Sequence, residues 1–222
     1  MDRGRSNITC VLASGGLDSA VLLVRLLRAG GRIWPVYLRC GLAWEAAELY
    51  WLRRFLRAVR SSRLLPLCVL EVPLRGAYGS HWSVSGRGVP GARSHDAAVY
   101  LPGRNVLLLS HAALAAVQRG VTRLAVGTLR GNPFRDASPR FFRAMAGCLT
   151  QALGRPIRIE APLRRLTKRQ LIRSAKRLPL ALTFSCLRPR GVRPCGECNK
   201  CAERRRAFRN AGVADPTRYA SR

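Results

Sequence analysis

The tract Ser14-Gly15-Gly16-Leu17-Asp18-Ser19 holds residue types suited to anion chemistry. Paired glycines let the backbone approach a phosphate closely and adopt φ > 0 without a Cβ clash. Ser14 and Ser19 add hydroxyl donors. Asp18 places a carboxylate where a phosphate is expected, so a cation must stand between the two, and Mg²⁺ prefers such oxygen ligands. A second group lies near the other end of the chain: Cys186, then Cys195, Cys198 and Cys201 at two-residue spacing. Four thiolates close a tetrahedral shell with no open position, which predicts one structural Zn²⁺ per chain. An iron–sulfur cluster and plain reduced thiols are the alternatives.

The flanking residues say how these groups are positioned. Residues 8–13 are short, apolar and β-compatible, and residues 20–28 read as a buried helix. Strand, glycine turn and helix start in that order aim free N–H groups and a positive dipole end at one point. A strand is expected over 32–38, a helix over 42–60 from its apolar spacing, and a strand over 64–72. The alternation predicts an α/β fold, a parallel sheet with helices on both faces. Residues 73–103 carry six glycines and three prolines and break the pattern. A loop of that length suggests a lid or substrate loop, where His81, His95 and Asp96 serve either acid–base chemistry or mere solvent contact. Arg104 and Asn105 then open a helix running to 118. A strand follows over 123–128, its end placing Gly127 and Thr128 where ligands gather in open α/β sheets, with Asp136 beyond. Ser138-Pro139 caps a helix to about 153, a short strand spans 156–160, and Thr167 with Gln170 has capping-box spacing. A last helix over 199–210 carries Cys201.

Composition narrows the class. The 222 residues, 48% hydrophobic, suit one α/β domain with a small appendage, divided here as 1–180 and 181–222. No run reaches the ~20 apolar residues of a membrane span, and the charged opening at 1–5 reads as no secretory leader, so a soluble cytoplasmic protein is expected. Cys10, Cys40, Cys68 and Cys148 read as reduced core residues. The net charge of +29 comes almost wholly from scattered arginine, Lys168, Lys176 and Lys200 being the only lysines. That fits genome-wide base composition, or a surface for a polyanion such as tRNA. Nucleic acid therefore stays open as a partner, as does a homodimer; a membrane does not.

The 14–19 tract has neither a Walker lysine nor a three-glycine dinucleotide fingerprint. It resembles the S-G-G-x-D-S signature of PP-loop ATP pyrophosphatases. The whole chain resembles the 7-cyano-7-deazaguanine synthase (QueC) family. Leu101-Pro102-Gly103-Arg104-Asn105 looks like that family's helix start, Ala161-Pro162-Leu163 with Thr167-Lys168 like its Ala-Pro-Leu segment, and the cysteine set like its zinc motif. Residues 204–208 with Gly212, Asp215-Pro216 and Tyr219 look like its C-terminal ending. The resemblance implies a Rossmann-like PP-loop domain with a zinc-binding tail. It implies ATP-dependent conversion of 7-carboxy-7-deazaguanine and ammonia to the nitrile through adenylated intermediates. ATP would lie against Leu12, Ala13, Ser14, Gly15, Gly16, Leu17, Asp18, Ser19 and Ala20, with Asp18, Ser19 and Arg104 serving the chemistry. Arg104, Asn105, Gly127, Thr128 and Asp136 would frame the deazapurine. Residues 38–42 lack the family's Gly-Gln-x-His character, and 132–140 differs from its usual sequence. This leaves another carboxylate, or a tRNA base, as the alternative acceptor.

Overall fold

The computed structural model describes residues 8–221; the charged opening at 1–5 lies outside them. Five strands form one parallel sheet in the order β3-β2-β1-β4-β5. They are β1 (Ile8–Leu12), β2 (Arg32–Arg39), β3 (Cys68–Glu71), β4 (Arg123–Ala125) and β5 (Arg158–Glu160). The central strand β1 pairs with β2 through Cys10 against Trp34, and with β4 through Cys10 against Leu124. The expected α/β class is the observed one.

Strand alternation divides the core into two layers. Cys10, Trp34, Val36, Leu38 and Leu124 point to one face, while Val11, Ile33, Tyr37 and Ala125 point to the other. Helix α1 (Leu17–Arg28) and helix α2 (Glu45–Ala58) cover the second face. The one-turn helices α3 (Arg75–Tyr78) and α4 (Trp82–Ser85) follow. Helices α5 (Arg104–Val117) and α6 (Pro139–Leu153) cover the first face. Helix α7 (Lys168–Ser174) and helix α8 (Asn199–Ala211) return to the second, where Leu171 and Phe208 join Leu22 and Phe55 in one layer.

Strand β3 starts at Cys68 instead of 64, and β4 stops at Ala125, so Gly127 and Thr128 follow the strand. Three further differences have local physical reasons. Helix α1 begins at Leu17, inside the 14–19 tract, because Gly16 already serves as its N-cap residue. Helix α2 starts at Glu45 instead of 42, since both Glu45 carboxylate oxygens accept from the backbone N–H groups of Cys40 and Gly41 and hold those residues in a loop. The 73–103 stretch is not featureless: it contains α3, α4 and a 3-10 turn, Asp96–Val99. His81 and His95 accept from the backbone N–H groups of Ser83 and Ala97, so both histidines cap short turns.

The C-terminal end is tied down by Arg204. Its guanidinium is buried, 3% exposed, and donates to Leu180 O, Thr183 Oγ1, Thr217 Oγ1 and the Asp215 carboxylate. Tyr219 donates its hydroxyl to the same carboxylate at 2.6 Å. Burial pushes the Asp215 carboxyl up, but the hydrogen bonds from Thr217 and Tyr219 and the Arg204 charge outweigh it and hold the group below its usual range. An Asp held low stabilises the fold above its unfolded pKa, and that contribution is lost as pH falls through the folded value. Replacing Arg204 by Ala leaves Asp215 without its buried cation, so a loss of about 3 kcal/mol is expected in denaturant unfolding at pH 7. The difference between R204A and wild type should shrink as the solution is acidified.

Candidate functional site: a cavity at the carboxyl edge of the sheet

The loop between β1 and α1 opens into a cavity of about 540 Å³. Gly15 takes φ +75°, a left-handed backbone that glycine adopts without strain, and a Cβ there would stand 3.1 Å from Leu52 Cβ. No side chain caps α1. By contrast Ser138 caps α6, and Thr167 with Gln170 caps α7 as a full capping box. Serine and aspartate are therefore not acting as caps of α1, and its first turn is left open to an anion. Ser14 Oγ and Ser19 Oγ lie 3.2 Å apart, and Ser19 donates to Gly16 O. Phe184 donates its backbone N–H to Gly15 O at 2.9 Å, which fixes the loop from the C-terminal side.

Gly127 shapes the same corner from β4. A Cβ at this position would lie 3.0 Å from Asp18 C and 3.0 Å from Ser19 N. The backbone after β4 thus runs directly against the first turn of α1. Thr128 beside it lines the cavity, and its Oγ1 is buried with no hydrogen-bond partner. Arg104 lines it from the start of α5, and its Nε is likewise buried without a partner. Two unpartnered buried polar atoms facing one cavity mark where a polar ligand would find bonds.

Asn105 and Asp136 sit together on the wall. The backbone N–H of Asn105 donates to Asp136 Oδ2, and Asn105 Nδ2 donates to Asp136 O at 2.9 Å. Asp136 therefore occupies the amide that a ligand anion at the start of α5 would have needed. Leu12, Ala13, Ser14, Gly16, Leu17, Asp18 and Ser19 face the cavity, whereas Gly15 and Ala20 stand behind it. Ala20 is buried in the layer beneath α1.

Several cavity residues escaped the sequence reading. Lys168, on the first turn of α7, places Nζ 2.7 and 2.8 Å from the two carboxylate oxygens of Asp18. The Asp18 carboxylate thus has an ion-pair partner within the chain. Lys200 holds Glu203 at 2.6 Å, and Glu203 stands 3.9 Å from Lys168. One signal was available: arginine supplies nearly all the positive charge, yet two of the three lysines face this cavity. Trp44 stacks on Trp82 at 5.8 Å and Tyr100 on Phe134 at 5.1 Å, giving the cavity aromatic walls.

The cysteine set converges. The four sulfurs of Cys186, Cys195, Cys198 and Cys201 lie within 4.8 Å of one another, all buried. A tetrahedral metal with S ligands at about 2.3 Å needs sulfurs somewhat under 4 Å apart, and two pairs already stand at 4.0 Å. Backbone N–H groups of Leu187, Arg188, Cys195, Glu197 and Cys198 point at these sulfurs. They would steady thiolate charge. This group could hold a metal. Cys198 and Cys201 open α8, so the same helix carries Lys200 and Glu203 to the cavity.

Taken together, a parallel α/β sheet with an uncapped phosphate-type loop at its carboxyl edge defines a PP-loop nucleotide fold. Solved structures share it: a predicted subunit of tRNA methyltransferase from Methanocaldococcus jannaschii superposes with a TM-score of 0.51 at 16% identity, covering 76% of this chain and 74% of that one. A 4-thiouridine synthetase solved with RNA and bound ATP gives 0.53 at 16% identity, over 93% of this chain and 50% of that one. At such identities the likeness is one of fold. Sequence goes further. The profile described as queuosine biosynthesis protein QueC matches residues 8–212, and the chain belongs to that family. It is 35% identical over 94% of both chains to the 7-cyano-7-deazaguanine synthase of Anaeromyxobacter sp. (strain Fw109-5). To the enzyme of that name from Stutzerimonas stutzeri (strain A1501) it is 33% identical, over 94% of this chain and 96% of the other.

Two outcomes test the site. Gly127→Ala must push the backbone at Asp18 and Ser19 aside. Equilibrium nucleotide binding should weaken at least tenfold, with unchanged circular dichroism. Cys198→Ser should lose bound metal by elemental analysis and lower the thermal midpoint, because metal binding at such a site contributes directly to folding.

Proposed function

We propose that this protein is an ATP-dependent carbon–nitrogen ligase that makes 7-cyano-7-deazaguanine from 7-carboxy-7-deazaguanine and ammonia. The observation that carries this reading is the near full-length likeness to relatives bearing that name, on a chain whose phosphate-type loop is intact and open. ATP would lie with its phosphates against the 14–19 loop and the first turn of α1. The substrate carboxylate oxygen attacks the α-phosphorus, pyrophosphate leaves, and the acyl-adenylate meets ammonia. A second adenylation on the amide oxygen makes that oxygen a leaving group, and its loss gives the nitrile. Backbone N–H groups from Gly16 to Ser19 would meet charge growing on pyrophosphate, with Lys168 and Arg104 as cations at the same corner. The deazapurine would lie against the aromatic walls, with Arg104 and Thr128 offering the polar bonds they lack, and Asn105, Asp136 and Gly127 holding that wall in place.

Mg²⁺, held between Asp18 and the phosphates, would neutralise charge on the departing group. Zn²⁺ fits the cysteine set, where four soft ligands leave no place for substrate, so its role is structural. None of the eight cysteines is in a disulfide, which suits a reducing cytoplasm. Residues 1–180 would then carry ATP chemistry and 181–222 the metal-bearing segment. No helix among the described residues is long and apolar enough to cross a membrane.

The test is direct. Purified, metal-loaded protein should release AMP and pyrophosphate only when 7-carboxy-7-deazaguanine is present, and mass spectrometry should find the nitrile when ammonium is added. Asp18→Ala should lower kcat/KM by about a hundredfold or more. AMP release indifferent to the deazapurine would sink the assignment.

A further inference from the structure

Five acidic side chains line the cavity: Asp18, Glu48, Asp96, Asp136 and Glu203. Four are engaged. Lys168 holds Asp18, Lys200 holds Glu203, Arg206 stands 3.6 Å from Asp96, and Asn105 binds Asp136. Glu48 differs. It is buried, 8% exposed, yet reaches the cavity wall, and among the described residues it has no ion pair. Its Oε2 accepts from the Tyr37 hydroxyl at 2.8 Å. Its neighbour Glu45 is spent on capping the Cys40 and Gly41 amides. Glu48 caps no backbone amide among the described residues, and the backbone of α2 at this residue packs against Gly15 of the phosphate-type loop. A buried carboxylate with no ion pair, met only by the Arg104 charge beyond ion-pair contact, is costly beside the place where AMP would be transferred unless it is used.

We propose that Glu48 is the general base of the amidation step, receiving the proton that nitrogen sheds as ammonia attacks the adenylated carboxylate. This rests on the ligase reading above. In the step, the nitrogen lone pair forms the C–N bond. The C–O bond to AMP breaks, and its electron pair leaves with AMP. One N–H proton passes to the Glu48 carboxylate, which later gives it to solvent through the open cavity. Neutral amide, AMP and a protonated Glu48 result, so charge balances.

The surroundings tune the group for this task. Burial pushes the Glu48 carboxyl up to about 7, opposed by the Arg104 charge from α5 and by hydrogen bonding from Tyr37 on β2, with Glu45 raising it and Trp44 lowering it from the start of α2. Burial pushes Cys40 up to about 11 and pushes the Tyr37 phenol up as well, so neither carries charge near neutrality. A base poised near neutrality is the effective kind.

Two readouts on the full-length, metal-loaded protein separate the steps. Exchange of labelled pyrophosphate into ATP, dependent on 7-carboxy-7-deazaguanine and run without ammonia, reports adenylation. Amide formation with ammonium chloride reports nitrogen attack. For Glu48→Gln, amide formation should fall by about a hundredfold or more, while exchange persists within a few-fold. For Tyr37→Phe, loss of a hydrogen bond that favours the charged form should move the acid limb of the amidation profile to higher pH. Wild-type amidation by E48Q would overturn the proposal, as would exchange falling in parallel with amidation, which marks a role in binding or folding. Should E48Q not fold, Y37F decides alone: an unmoved acid limb overturns it. Absence of exchange in the wild-type protein would instead bring down the ligase reading, and this one with it.

Discussion

The contact that most constrains this molecule is backbone against backbone, where the chain leaving β4 at Gly127 meets the first turn of α1. With no Cβ between them, the ends of β1 and β4 converge on a corner where α1 begins without a capping side chain. Helix dipole, free N–H groups and cavity then coincide. The segment before Cys186 closes the corner from the other side, through Phe184 onto Gly15. Any change that widens the gap at Gly127 moves the anion site itself.

The metal-type cluster and the cavity are mechanically one unit. Helix α8 starts on Cys198, carries Lys200 and Glu203 toward Asp18, and buries Phe208 in the same layer as α1 and α2. Arg204, one residue further along, gathers the C-terminal tail around Asp215. A four-cysteine site that orders the start of α8 therefore also sets where two charged residues stand in the cavity, although the sulfurs themselves are buried and leave no ligand position open.

How much of this was legible beforehand depends on how local the physics is. The phosphate-type loop is readable because glycine pair, serines and strand–helix order all lie within a few residues. The cysteine set is readable for the same reason. Asp18 reads as needing a cation toward a phosphate; its ion-pair partner in the structure, Lys168, lies 150 positions away, and no pattern along the chain pairs them. Glu48 reads along the chain only as one of two acidic positions after β2, with Glu45, and its partner Tyr37 lies on β2 itself; only the crossing of strand and helix makes them a pair. His81 and His95, residue types open to either acid–base chemistry or solvent contact in a glycine-rich stretch, hold short turns together. Asp136 reads as a pocket residue from its place after β4, and it does face the cavity, but its bonds go to Asn105 of α5.

The Lys168 ammonium on Asp18 has a consequence for how this protein meets a nucleotide. Lys168 already serves Asp18 as a counterion and stands 3.9 Å from Glu203. A metal–nucleotide complex taken up as proposed would swap partners here, and the displaced ammonium would be free to follow the phosphates. Capture of this kind should depend less on bulk salt than the protein's large positive charge would suggest, because the decisive charges exchange within a partly enclosed pocket where screening is weak.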